Sequence, residues 1–186
     1  MATQTEGQLA TGRRSDRIAL EIVTPKGTAL KLEVDEVTAP SVAGEFGVLP
    51  GHLPLLAALQ TGIVTYRLGT DVKKCAVGRG FAEAGPDQVV ILTDRFIERE
   101  QIDPVLVRKD LAEIQLKMAQ AEAVASEPVR EDATLEALIR EENWLAAELE
   151  LYGDPPPATM RPYETFGPVA SADEEDVPPE APAEPT

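Results

Sequence analysis

The chain holds one cysteine, one histidine and no long apolar run, and each shortage removes a class of function. With Cys75 alone there is no internal disulfide framework, which fits a reducing compartment, and the residue reads as a small buried side chain on a strand. His52 alone rules out a multi-histidine metal site, and a single thiol rules out a thiolate cluster. Carboxylates by themselves hold calcium only from a loop of alternating Asp and Asn, whereas the acids here fall on a tail and on helix surfaces. No stretch nears the ~18 apolar residues of a membrane span, and residues 1–17 are polar, without the apolar segment of a signal peptide. A soluble, cytosolic chain is expected. Basic residues are also scarce: 17 against 33 acids, a net charge of −16, which opposes binding to nucleic acid or anionic lipid.

Catalytic patterns are missing too. Ser41 with His52 lacks the G-x-S-x-G elbow of a hydrolase. Val77-Gly78-Arg79-Gly80-Phe81-Ala82-Glu83 is glycine-rich, but Glu83 stands where a dinucleotide fingerprint needs glycine and a strand follows instead of a helix, so it reads as a tight β turn. No G-x-x-x-x-G-K-[ST] loop exists. Expected catalytic residues, metal ligands and cofactors are therefore none.

What is present divides 186 residues into four parts: a leader (1–17), a β domain (18–100), a helical hairpin (101–152) and a tail (153–186). Ile18, Leu20 and Ile22 share one face, and Leu30, Leu32 and Val34 alternate with Lys31, Glu33 and Asp35, the period of half-buried strands. Pro25-Lys26-Gly27-Thr28 between them is a turn, so these two strands are expected to form a hairpin or lie as near neighbours. Further strands are expected at Leu53–Leu59, Gly62–Leu68, Val72–Val77, Phe81–Ala84 and Val89–Thr93. Many short strands with no helix between them indicate a sandwich or barrel.

At Ile102 the period changes. Asp103-Pro104 is an N-cap followed by proline at the first helical position, and Val107, Leu111, Ile114, Met118 and Ala121 recur at steps of four and three. The segment Ser126–Glu131 breaks the pattern. Leu135, Leu138, Leu145, Leu149 and Tyr152 then form a second stripe, interrupted by Glu142 and stopped by Gly153 before Pro155-Pro156-Pro157. Two helices so joined make an antiparallel hairpin; the stripes leave open whether the helices face each other or a third body. From Gly153 onward lie nine of the 16 prolines and eight acids against Arg161 alone. Such a composition buries too little apolar area to offset its ordering entropy, and disorder is expected.

The segment Gly44-Glu45-Phe46-Gly47-Val48-Leu49-Pro50-Gly51-His52, running into Leu53-Pro54-Leu55-Leu56, is the most distinctive. Its glycines reach positive φ and its prolines preset φ, so it spells a structured turn with no catalytic chemistry. Phe46, Val48 and Leu49 are apolar residues a plain linker does not need. A docking element is the natural reading.

Three features in order carry a family resemblance: Leu20-Glu21-Ile22-Val23-Thr24-Pro25, then the glycine-proline-histidine segment with Leu59-Gln60-Thr61-Gly62 and Val90-Ile91-Leu92-Thr93-Asp94, then two helices. Over Ile18–Tyr152 the chain resembles the epsilon subunit of the F-type ATP synthase. The resemblance implies an α+β protein, a ten-stranded β-sandwich followed by the hairpin. It also implies a non-catalytic rotor subunit that packs on the gamma subunit and rests on the c-ring, coupling proton flow to ATP synthesis. Carried over, Gly44, Glu45, Phe46, Gly47, Pro50, Gly51 and His52 form the ring and stalk contact, at the cytoplasmic face of a bacterial inner membrane, with membrane association only through the complex. Contacts with the catalytic beta and alpha subunits are implied through the hairpin.

Two departures stand out. Relatives that bind ATP carry an arginine shortly after Ile/Leu-Asp, but here Ile102-Asp103-Pro104-Val105 is followed by Leu106, and ATP binding is not expected. Inhibition in the family uses basic residues of the second helix; between Arg130 and Leu151 this chain has Glu131, Asp132, Glu136, Glu141, Glu142, Glu148 and Glu150 against Arg130 and Arg140, so weak inhibition, or inhibition by another contact, is expected. A free-standing sandwich adaptor with an acidic partner-binding tail is the alternative.

Overall fold

The computed structural model describes residues 16–124 and 133–155, with side chains placed for 16–121 and 134–155. The expected break at Ser126–Glu131, most of the leader and the tail beyond Pro155 lie outside these residues. Ten strands come first: β1 (Ile18–Thr24), β2 (Gly27–Val34), β3 (Glu36–Ser41), β4 (Gly44–Val48), β5 (Leu55–Leu59), β6 (Gly62–Leu68), β7 (Asp71–Val77), β8 (Gly80–Ala84), β9 (Gln88–Thr93) and β10 (Phe96–Glu98). A 3-10 turn (Arg99–Gln101) then leads to α1 (Pro104–Val124) and α2 (Ala133–Tyr152).

The strands pair in the order β10-β7-β6-β3-β5-β8-β9-β1-β2, with β4 on β3. All pairs are antiparallel except β1 with β9. Alternation puts Ile18, Leu20 and Ile22 of β1, Val37 and Ala39 of β3, Ala82 and Ala84 of β8, and Val89 and Ile91 of β9 into one fully buried core with Val64, Cys75 and Val77. This is the sandwich the period-two pattern demands, since the strands turn alternate apolar side chains to a shared interior. The first hairpin closes as expected, with Thr24 opposite Gly27, whose φ of 117° suits glycine alone. Thr24 Oγ1 donates to the Gly27 carbonyl at 3.1 Å and accepts from Lys26 N–H at 3.3 Å.

Three strands differ from the sequence reading. Gly44–Val48 is strand β4, where a turn was expected: Phe46 and Val48 point inward while Glu45 and Gly47 point out, a period hidden by two glycines in five residues. β3 alternates only over Glu36–Ala39 before Pro40, and β10 has only three residues, so neither run is long enough to be read as a strand from the sequence.

Cys75 is fully buried, and loss of solvent pushes its thiol up to about 12, consistent with a packing role. Gly80 is required by packing alone. A Cβ there would lie 1.9 Å from the Leu92 carbonyl oxygen, a backbone atom that cannot swing aside. Gly80→Ala is therefore expected to destabilise the sandwich by about 3 kcal/mol, read as a shift in the urea midpoint with an unchanged slope. A variant as stable as the parent would show that β8 and β9 are not in this register.

Both helix ends follow their caps. Asp103 Oδ1 accepts from Val105 N–H at 3.0 Å and Leu106 N–H at 3.3 Å, leaving Pro104 where no donor is needed. At the end of α2, Gly153 has φ 99°, its N–H bonds to the Glu150 carbonyl at 3.1 Å, and Asp154 N–H reaches back to Leu149 at 2.9 Å. These two bonds form a Schellman stop.

Candidate functional site

Strand β4 and the turn after it present the distinctive segment at an exposed end of the sandwich. Ser41 Oγ donates to the Gly44 carbonyl at 2.6 Å and accepts from Ala43 N–H, which closes the β3–β4 hairpin with Gly44 at φ 115°. That hydroxyl is committed to the turn. Leu49-Pro50-Gly51-His52 has the build of a type II turn: proline second, glycine third with φ 85°, and His52 N–H donating to the Leu49 carbonyl at 3.0 Å. Gly51 N–H is tied to the Pro86 carbonyl at 2.7 Å, fastening this turn to the β8–β9 connection.

Within this frame Glu45 is exposed, with no ion pair among the described residues, and Phe46 is half-buried against the core. The His52 ring is also half-buried; Nδ1 lies 2.6 Å from the Leu53 carbonyl oxygen, so Nδ1 carries the proton and donates. Gly44, Glu45 and Gly47 thus sit on an edge strand, Pro50, Gly51 and His52 in the turn beyond it. The motif reading passed over their neighbours as site residues. Leu49 is 53% exposed and Leu53 80%, and on the outer sheet face Leu56 is 73%, Phe81 57% and Leu92 52%, with Phe81 directly opposite Leu92. Outward apolar residues on otherwise alternating strands were the signal.

The second surface is where the helices meet the sheet. Trp144, Leu145, Ala147, Leu149 and Leu151 of α2 form one buried cluster with Val107 and Leu111 of α1, Ala76 of β7 and Ile102. The helices therefore face each other and a third body, the sheet, at once. The stripe reading missed Trp144, and Tyr152, expected inside, is 38% exposed with its ring under Arg99. Arg95, between β9 and β10, grips α2 twice: it donates to Glu141 at 2.6 Å, and its guanidinium lies 5.6 Å from the Trp144 ring centre. Both partners of the ion pair are more than a third exposed, so it adds at most ~1 kcal/mol, whereas each fully buried large apolar side chain is worth roughly 2. Apolar burial holds the helices; Arg95 sets the register. Arg108 bonds Asp154 through Nε at 2.7 Å, joining the start of α1 to the end of α2.

Glu148 is 8% exposed within this interface. Burial raises its pKa above the ordinary carboxylate value, opposed by the Trp144 indole N–H; Glu141 of α2 and Asp110 of α1 also raise it, and Arg95 lowers it. A raised folded-state pKa means the contribution of Glu148 is full below the unfolded value and is lost as pH rises through the folded one. Urea unfolding is expected to show Glu148→Gln gaining on the parent as pH rises above the ordinary carboxylate value of 4.5, with the two converging in acid. A pH-independent difference would contradict this.

The described residues thus combine a β-sandwich, a helical pair docked on it and a preformed exposed tip, the build of a structural subunit that binds partners. The family model for the β-sandwich domain of ATP synthase delta/epsilon chains matches residues 17–99. An epsilon chain of Syntrophotalea carbinolica is 41% identical over 109 residues, 59% of this chain and 74% of the relative. One from Magnetococcus marinus is 38% identical over 116 residues, 61% and 85% of the two chains. The chain belongs to the ATP synthase epsilon chain family, non-catalytic accessory subunits of that enzyme complex. A chain of the Euglena gracilis mitochondrial ATP synthase shares the fold, with a TM-score of 0.61 at 23% identity over 80% of this chain and 89% of that one.

Proposed function

We propose that this chain joins the gamma subunit to the ring of c subunits at the foot of the central stalk, coupling proton passage to ATP synthesis at the cytoplasmic face of a bacterial inner membrane. The observation that carries this reading is the preformed tip, where Leu49 and Leu53 stand exposed on a turn locked by Gly51 and tied to Pro86. A contact that must survive torque benefits from surfaces already shaped before binding, because no ordering entropy is then lost on docking. Glu45 and the tip leucines meet the polar loops of the ring, His52 braces the turn from within, and the outer face around Leu56, Phe81 and Leu92 packs on gamma.

No helix of the described residues is long and apolar enough to cross a membrane. In this reading membrane association runs through the complex. Inhibition of ATP hydrolysis by the hairpin is weak in this reading. The acids of α2 repel an acidic target, and Glu141, Glu142 and Glu148 are already engaged by Arg95, Gln115 and the helix–sheet interface.

Because Phe46 packs on the core, the informative variant spares it. Glu45→Ala with Leu49→Ala and Leu53→Ala is expected to lower proton-driven ATP synthesis in inverted vesicles roughly tenfold, or to release the chain from washed membranes, while its thermal unfolding stays unchanged. Undiminished coupling with full retention on membranes would remove the tip from the contact. Failure to co-purify with a membrane ATPase at all would favour the free-standing adaptor.

A further inference from the structure

A cleft of about 340 Å³ opens between the sandwich and α2, with Arg79, Asp94 and Arg95 contributed by the sandwich and Arg140, Glu141 and Trp144 by the helix. Its arginines separate into two kinds. Arg95 is taken by Glu141 and Trp144, whereas Arg79 and Arg140 are exposed and make no ion pair or ring contact among the described residues. Every other described arginine has such a partner: Arg17 pairs with Asp35, Arg67 with Glu36 and Arg108 with Asp154, and Arg99 stacks on Tyr152. In a chain of net charge −16, the two free guanidiniums line one cleft, one from each side of the helix–sheet seam.

A third group completes the set. Asp94 is exposed, and its carboxylate makes no hydrogen bond or ion pair among the described residues. A Cβ on Gly78 would collide with Asp94 Oδ1 and come within 3.2 Å of Arg95 Cβ, so glycine there is what lets the carboxylate lie against the strand end inside the cleft. Two donor forks beside one open acceptor match an oxyanion that keeps a proton.

We propose that this cleft binds inorganic phosphate in its monohydrogen form, with Arg79 and Arg140 donating to its oxygens across the seam and its P–O–H donating to Asp94. Sulfate carries no proton at neutral pH and leaves Asp94 facing a bare oxygen, so the carboxylate that admits phosphate repels sulfate. A nucleotide is excluded on other grounds. Trp144 is buried with its ring under Arg95, and no other lining side chain is aromatic, so no face is left on which a base could stack. An anion held by the sandwich and α2 together stabilises their docked arrangement by mass action. For an accessory subunit of an ATP synthase, phosphate is a reactant of the complex, and the bridge ties the hold on α2 to its concentration.

The test titrates potassium phosphate, sodium sulfate and ATP into the full chain at constant ionic strength, following the emission of Trp144, the one tryptophan, and the amide signals of Gly78, Arg79, Asp94 and Glu141. Saturation by phosphate is expected with a Kd of about 1 mM, weak because both guanidiniums stand in solvent. Sulfate is expected to bind roughly tenfold more weakly, and Asp94→Asn to abolish that preference. Arg79→Gln and Arg140→Gln are each expected to weaken phosphate at least about fivefold at an unchanged urea midpoint. At about ten times Kd, phosphate is expected to slow hydrogen exchange of the Leu145 and Leu149 amides roughly tenfold in the parent and not in Arg79→Gln. Phosphate that fails to saturate, or whose binding is indifferent to both arginine substitutions, overturns the site. Sulfate binding as well as phosphate removes Asp94 from it, ATP binding more tightly through the same residues makes it a nucleotide site, and binding without added protection of α2 removes the bridge; each overturns the proposal. All readouts use the isolated chain and stand apart from the rotor reading.

Discussion

The burial of α2 between α1 and the sheet is the contact on which the arrangement of the molecule rests. α1 reaches the strands chiefly through α2, so the second helix acts as the wedge that joins the helical pair to the sandwich. Trp144, Leu145, Ala147, Leu149 and Leu151 cover more than one face of the helix, and a helix apolar on so wide an arc must be covered on two sides. Charged contacts at the rim of this interface orient it without supplying most of its stability. The consequence is an attachment strong enough to persist and local enough to be adjusted by groups at its edges.

Those edges explain why a helical pair so rich in acids stays down. Glu141 finds Arg95, Glu142 finds Gln115, and Glu148 is buried beside an indole N–H, so three carboxylates on one helix are each accommodated differently. In the proposed reading the same three acids oppose contact with an acidic partner. The hairpin and the tip thus rest on different interactions. The tip depends on backbone shape, set by Gly44, Pro50 and Gly51, and the hairpin on the balance of apolar burial and charge.

Much of the β architecture was legible because alternation is a direct imprint of one-sided burial. Ile18, Leu20 and Ile22, like Val34, are core residues found by period alone. The caps were equally legible, since Asp103 with Pro104 and Gly153 act within a few residues of themselves. β4 was not: Gly44 and Gly47 carry no side chain to show a period, and only pairing with β3 makes the segment a strand. The glycine-proline segment was recognisable as shaped, yet its exposed apolar neighbours Leu56, Phe81 and Leu92 became visible only once the strands lay side by side.

What the sequence determined by itself was therefore everything governed by local geometry and one-dimensional patterning: strands with a clean period, helix limits, the shaped turn, and the family through the order of its motifs. Tertiary structure alone decided which groups meet across long separations. Arg95 gripping α2, Glu148 losing its water between helix and sheet, and Arg79 standing across a cleft from Arg140 join residues dozens of positions apart. Electrostatics and desolvation depend on distance in space, and the folded arrangement of the sheet and helices sets those distances.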